Sequence, residues 1–175
     1  MTTINIHSLT PGMLDAHAAA LASIMTQTVN GGAAIGYVQP FSLDDAHAFF
    51  SASVFPEVRA GNRRLLVAKL DGETAGTVQL IVALPPNQPH RCEVAKMMVA
   101  PAARRRGIGR ALLEALDVEA RAAGKSLITL DTRTGDSAEP LYRSAGFNVA
   151  GVIPGFALDP DRAGLHATTY MYKTL

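Results

Sequence analysis

The 175-residue chain has no tryptophan and one cysteine, Cys92. A single thiol cannot close an internal disulfide or build a cysteine-rich metal site. Charged residues are also scarce, at 18%, and nearly balanced at a net +1. That excludes the broad basic surface of a dedicated nucleic-acid binder. No stretch approaches the ~20 consecutive apolar residues of a membrane-spanning helix. Met1–His7 has no basic flank followed by a long apolar core, so no signal peptide is expected. The five histidines, His7, His17, His47, His90 and His166, contain no i, i+4 pair, and no metal site is expected. His90, near Cys92 and Glu93, is assigned to surface or packing. A soluble cytoplasmic protein with no membrane or nucleic-acid partner is the default expectation.

What is present is apolar: 48% of residues are hydrophobic, enough for a core, and disorder is excluded. Residues 1–175 are expected to form one α/β domain. Ile4 and Ile6 mark a first strand. Leu14, Ala18, Leu21, Ile24 or Met25, and Thr28 give one face of a helix that Gly31-Gly32 stops. Ala33–Pro40 reads as a loop with Tyr37. Ser42 with Asp45 opens a second helix carrying Ala46, Phe49, Phe50 and Val54, which Pro56 interrupts or kinks. Leu65–Leu70 and Gly76–Leu84 are strands joined at Asp71-Gly72, a hairpin signal. Cys92–Val99 is a further strand. After Gly107 a helix shows Ile108, Leu112, Ala115 or Leu116, and Val118 or Glu119, and ends at Gly124. Leu127–Leu130 is a strand and about Ser137–Ser144 a short helix. Two last strands fall near Val149–Ile153 and His166–Tyr172, with a loop holding Pro154, Gly155, Pro160 and Gly164 between them.

The most informative stretch runs from Val94 to Leu113. An apolar strand stops at Pro101; then come Arg104, Arg105, Arg106, Gly107, Ile108, Gly109 and Arg110, and a helical pattern starts. A strand feeding a turn and a helix N-terminus presents unpaired backbone N–H groups and the positive dipole end. Gly107 and Gly109 lack a Cβ, so phosphates can approach the backbone. The arginines add planar cationic donors. The expected guest is a phosphorylated cofactor. A dinucleotide fingerprint is excluded because Arg110, Ala111 and Leu112 follow the second glycine. A P-loop is excluded because no Gly-Lys pair precedes Ser or Thr.

The remaining pattern, Arg104-x-x-Gly107-x-Gly109 after Val-x-Pro, resembles the acetyl-CoA pyrophosphate loop of the GNAT superfamily of N-acetyltransferases. Leu141-Tyr142-x-x-Ala145-Gly146-Phe147 resembles that family's L-Y-x-x-x-G-F segment, and the element order agrees over essentially the whole chain. The resemblance implies a mixed, twisted central sheet of about seven strands flanked by about four helices. A narrower resemblance joins Asn30-Gly31-Gly32-Ala33-Ala34-Ile35-Gly36, Glu93-Val94-x-Lys96-Met97-Met98-Val99, Leu130-Asp131-Thr132, Pro154-Gly155 and Tyr172-Lys173-Thr174-Leu175. Together they are similar to the tabtoxin-resistance type of GNAT enzyme, which acetylates a β-lactam-bearing amino-acid toxin.

The resemblance assigns roles. Acetyl-CoA is the cosubstrate, held by the segment Arg104–Arg110 and by main-chain groups of Met97, Met98 and Val99. Tyr142 is the candidate general acid toward the departing thiolate. Glu93, at the start of its strand, and Asp131, just past the next, are the candidate bases or ammonium anchors. Where many members carry Asn seven residues before the tyrosine, this chain has Gly135, with Asp136 and Ser137 beside it. The expected acceptor is the amine of a small molecule, amino-acid-like and a toxin or antibiotic in the narrower reading. The alternatives are acetylation of a protein α-amine or lysine, which needs an open groove, and a non-catalytic acyl-CoA-binding module. Tail strand and sheet edges could pair two chains as a homodimer or close one monomer.

Overall fold

Residues alternate across the sheet where the sequence runs apolar. Leu65 and Val67 pack on one side, and Leu66, Ala68 and Leu70 on the other. A strand buried on both faces therefore reads as a continuous apolar run. The computed structural model describes residues 3–175. Its strands are β1 (Ile4–Ser8), β2 (Arg63–Leu70), β3 (Glu73–Ile81), β4 (Arg91–Val99), β5 (Leu127–Arg133), β6 (Asn148–Leu158) and β7 (Leu165–Thr174). They form one seven-stranded sheet in the order β1-β2-β3-β4-β5-β7-β6. Every pairing is antiparallel except β4 with β5.

The helices are α1 (Leu14–Asn30), α2 (Leu43–Ala48), α3 (Phe55–Arg59), α4 (Ile108–Ala122) and α5 (Ala138–Ser144). A π-helical stretch, Phe49–Val54, joins α2 to α3, so the helical rods number four, as expected. Helices α1 to α3 cover one face of the sheet, and α4 with α5 the other. The α2 capping box is complete: Asp45 N–H donates to Ser42 Oγ at 3.0 Å, and Ser42 N–H donates back to the Asp45 carboxylate at 3.3 Å. Pro56 does not break the rod. It sits in the first turn of α3 after the π-helical stretch, where its missing N–H costs little. The β2–β3 turn has Asp71 at φ 51° and Gly72 at φ 94°, the pair of positive φ values that a two-residue hairpin demands. Among the described residues no helix is long and apolar enough to cross a membrane.

Two expectations need correction. The buried stripe of α4 is Ile108, Leu112, Leu113, Leu116 and Ala120. Val118 is 65% exposed, and Glu119 reaches Arg64 at 3.8 Å. Strand β6 also continues through Pro154 and Gly155 to Leu158, with register shifts at Val149/Gly151 and Ile153/Ala157. It is an edge strand, and a proline is tolerated on an edge or at a bulge, where no ladder hydrogen bond is lost.

Candidate active site

Strands β4 and β5 pair over only three positions, Arg91 with Leu127, Cys92 with Ile128 and Glu93 with Thr129. Beyond Glu93 they part. The side of β4 facing away from β3 is left without a strand partner, and a cleft of about 900 Å³ opens there. A bulge enters β4 opposite Val78, between the pairs Gln79–Ala95 and Thr77–Met98, and Lys96 adopts φ 50°. The extra residue strengthens the local twist.

The turn between β4 and α4 forms one end of the cleft. Gly107 is the N-cap of α4 at φ 84°, with no side-chain cap; a side chain there would strain the backbone. The first helical acceptor is used by Ala111 N–H, which donates to Gly107 O at 3.1 Å. The N–H groups of Ile108, Gly109 and Arg110 precede it and are free for an anion. Arg104, Arg105, Gly107, Ile108, Gly109 and Arg110 line the cleft, and Arg106 does not. Arg104 Nε donates to Val99 O at 3.2 Å, and Arg110 leans on Ser144 Oγ at 3.4 Å. Met98 and Ile108 are 2% and 1% exposed, and their side chains belong to the core.

The sequence rationale for Gly109 is corrected. A Cβ there would lie 2.8 Å from Leu141 Cδ2, not in the space of a phosphate. Gly109 lets the first turn of α4 lie close against α5, the helix that carries Tyr142.

At the fork of β4 and β5, Glu93 and Asp131 share the cleft with Tyr142. Arg91 holds Glu93 at 3.2 Å and is itself fixed by Gln88 Oε1 at 2.6 Å and Thr129 Oγ1 at 2.5 Å. Asp131 opens onto the cleft, and its pKa is raised, first by burial and then by the charge of Glu93, while Lys96 pulls it down. Tyr142 is 6% exposed and packs edge-on against Phe147, with centroids 5.7 Å apart. Burial raises its pKa well above the usual phenol value, with Asp131 and Asp136 adding to the shift. A neutral phenol lines the cleft.

The opposite wall is the segment Gly31–Gly36. It is fixed at both ends: Ala33 N–H donates to Thr28 O at 3.1 Å and Gln39 N–H to Pro160 O at 2.7 Å. Asn30 exchanges two bonds with Phe41, of 2.8 and 3.0 Å. The cleft is therefore a walled pocket at this end. Sequence reasoning misses several of its residues. Lys96 places Nζ 5.7 Å from the centre of the Tyr37 ring, and its pKa is lowered by burial, against the pull of Asp131. Arg63 and Gln79 also line the pocket, as do Asp136 and Ser137, whereas Gly135 does not. One signal is readable: Gln79 is the amide in the otherwise apolar run Val78-Gln79-Leu80-Ile81.

A parted parallel strand pair, an anion cradle on a helix N-terminus and a walled, proton-handling pocket define a class of α/β group-transfer domain. The family description "Acetyltransferase (GNAT) domain" matches residues 61–149. The chain belongs to the GNAT family of acetyltransferases. It is 34% identical over 115 residues to an uncharacterised N-acetyltransferase of the hisH-hisA intergenic region of Azospirillum brasilense, covering 64% of this chain and 66% of that protein. An IAA acetyltransferase of the same organism is 37% identical over 98 residues, covering 55% and 62%. The chain thus spans slightly less than two thirds of the length of these relatives. Among solved structures, an acetyltransferase-like protein of Salmonella typhimurium with its cofactor acetyl-CoA superposes with a TM-score of 0.78 at 25% identity, over 98% of this chain and 94% of that one. A ribosomal-protein-alanine N-acetyltransferase of Brucella melitensis gives 0.78 at 26%, over 98% and 99%.

Proposed function

We propose that this chain is an acetyl-CoA-dependent N-acetyltransferase for the amine of a small, amino-acid-like molecule. The observation that carries the reading is the convergence of Glu93, Asp131 and Tyr142 on one walled pocket that runs into the anion cradle. The cradle fits the cofactor: free N–H groups of Ile108–Arg110 and the heads of Arg104, Arg105 and Arg110 suit a pyrophosphate. The unpaired side of β4 at Met97–Val99 suits a pantetheine arm lying along it as a strand would. Acetyl-CoA supplies the thioester whose acetyl group is transferred.

The chain's residues then divide the proton work. Asp131 takes the proton from the acceptor ammonium and passes it to solvent, and the re-ionised carboxylate takes the one released as the C–N bond forms. Burial raises the pKa of Asp131 and with it its basicity, while Glu93, already bridged to Arg91, supplies field and orientation. A β4 N–H polarises the thioester carbonyl. Tyr142 gives its hydroxyl proton to the sulfur as the C–S bond breaks, and solvent restores it.

A base must be ionised to act, so kcat should rise with pH through the raised pKa of Asp131. Glu93→Gln removes a neighbouring negative charge, lowers that pKa and is expected to move the acid limb to lower pH. Lys96→Met removes a positive charge and should move it to higher pH. Profiles of kcat at saturating substrate check both signs; unchanged limbs in both variants would take Asp131 out of the base role.

Resemblance at Asn30–Gly36 to the tabtoxin-resistance type supports an amino-acid toxin or antibiotic as the finer substrate reading. The second reading, acetylation of a protein α-amine, is favoured by the likeness to the Brucella enzyme. The Gly31–Gly36 wall weighs against a polypeptide in the site. Steady-state assays with free-thiol detection should show turnover on small amines; turnover confined to peptides would reverse the order.

A further inference from the structure

We propose that Arg63 and Gln79 form an oxyanion subsite that selects acceptors bearing a carboxylate, or a comparable anion, close to the reacting amine. This deepens the small-molecule acetyltransferase reading and rests on it. The two residues stand on adjacent strands, β2 and β3, at the wall of the pocket. Arg63 Nη1 donates to Gln79 Oε1 at 2.5 Å, which fixes the amide so that Nε2 is its free end. Gln79 is 0% exposed, yet Nε2 has no acceptor, and neither does the buried Arg63 Nε. Both residues line the cleft. Two buried donors without acceptors are costly, and an apolar pair would remove the cost. A ligand with oxygen lone pairs satisfies them.

Charge points the same way. Burial lowers the pKa of Arg63, and Glu57 acts against that shift. Glu57 is engaged by Asn62 Nδ2 at 3.1 Å, and no carboxylate lies within ion-pair reach of Arg63 among the described residues. A half-buried guanidinium without a counter-ion attracts an anion. The complement of a guanidinium and an amide donor is a group with two acceptor oxygens.

Placement supplies the link to the amine. Arg63 pairs with Ile81 across β2–β3, and Ile81 with Glu93 across β3–β4. The row puts Arg63 two strands from Glu93, about 10 Å at the backbone. The long Arg63 side chain shortens that gap to the scale of a zwitterion. Lys96 lines the same cleft and is near enough to both for their charges to act on it, Arg63 lowering and Asp131 raising its pKa. Cations at one end and Glu93 with Asp131 at the other match an amino acid lying head to tail. A protein N-terminus or a lysine side chain offers no free carboxylate beside its amine.

The test compares the standard L-amino acids with their carboxamides at saturating acetyl-CoA. Wild type is expected to prefer the acids by at least about tenfold in kcat/KM, chiefly through KM. Arg63→Met should bring the preference within about threefold while retaining turnover of the carboxamides. Gln79→Glu, nearly isosteric, places a carboxylate against Arg63 and should give the same loss, so the outcome does not hang on one variant folding. Calorimetric titration of the coenzyme A complex with the same compounds separates the two readings. Amino-acid binding that both variants abolish supports the subsite even without turnover, and then only the transferase reading fails. Equal treatment of acids and carboxamides by wild type, or a preference that survives both substitutions, overturns the subsite.

Discussion

Gly109→Val is expected to weaken acetyl-CoA binding at least about a hundredfold, or ~2.7 kcal/mol. Gly109 lies in the first turn of α4 with ordinary helical backbone, so valine strains no dihedral there. The obstacle is Leu141, whose Cδ2 already stands 2.8 Å from where a Cβ would be. One methyl can be absorbed by a turn of the Leu141 side chain, and Gly109→Ala should be mild. Valine adds two more carbons, and either α5 moves out or the first turn of α4 tilts away. A tilt turns the Ile108, Gly109 and Arg110 N–H groups off the phosphates together, and several hydrogen bonds fail at once. An arginine variant loses less. Arg104, Arg105 and Arg110 are exposed heads sharing one task, so Ala at any of them should cost about 1–2 kcal/mol. Arg106, outside the cleft, should cost almost nothing. Calorimetric titration of folded variants measures the series, with circular dichroism reporting that α4 survives. Near-wild-type affinity in Gly109→Val would show that α5 yields and the first turn of α4 keeps its place, whereas near-wild-type affinity in the Arg104, Arg105 and Arg110 variants together would place the phosphates elsewhere.

Where the site is built from residues contiguous in the chain, the sequence alone makes it legible. The Arg104–Arg110 turn shows itself because a strand end, a glycine at φ 84° and an amphipathic helix follow one another directly. Tyr142 shows itself through its own segment. The fork that makes the cleft does not, because it depends on where β4 stops pairing with β5, and those strands lie far apart in the chain. Arg63 and Gln79 are hidden differently. Each sits in a strand whose apolar neighbours identify core, and only the fold shows that their row ends at the cleft wall. Lys96 lies in a recognisable strand, but its function-facing geometry comes from a bulge, which no two-residue alternation announces. The choice between Asp131 and Glu93 as base turns on tertiary charges: Arg91 on one, the protein wall and Glu93 on the other.

Tyr142→Phe is expected to lower kcat by on the order of 10²-fold or more while leaving acetyl-CoA affinity close to wild type. The substitution removes one oxygen from a ring that is 6% exposed and braced by Phe147, so packing is kept. Burial with the charges of Asp131 and Asp136 holds the phenol neutral far above neutral pH. The proton is therefore in place throughout the working range, and no basic limb near pH ~10 should be assignable to Tyr142. Without it the thiolate must leave uncompensated in a pocket that already holds two carboxylates. The same variant separates an enzyme from a module that only binds acyl-CoA, since a binding module has no use for this hydroxyl. Single-turnover kinetics on the Phe variant, with affinity measured in parallel, give the answer. A kcat within about threefold of wild type, at unchanged affinity, would show that the thiolate takes its proton from water and that Tyr142 only packs.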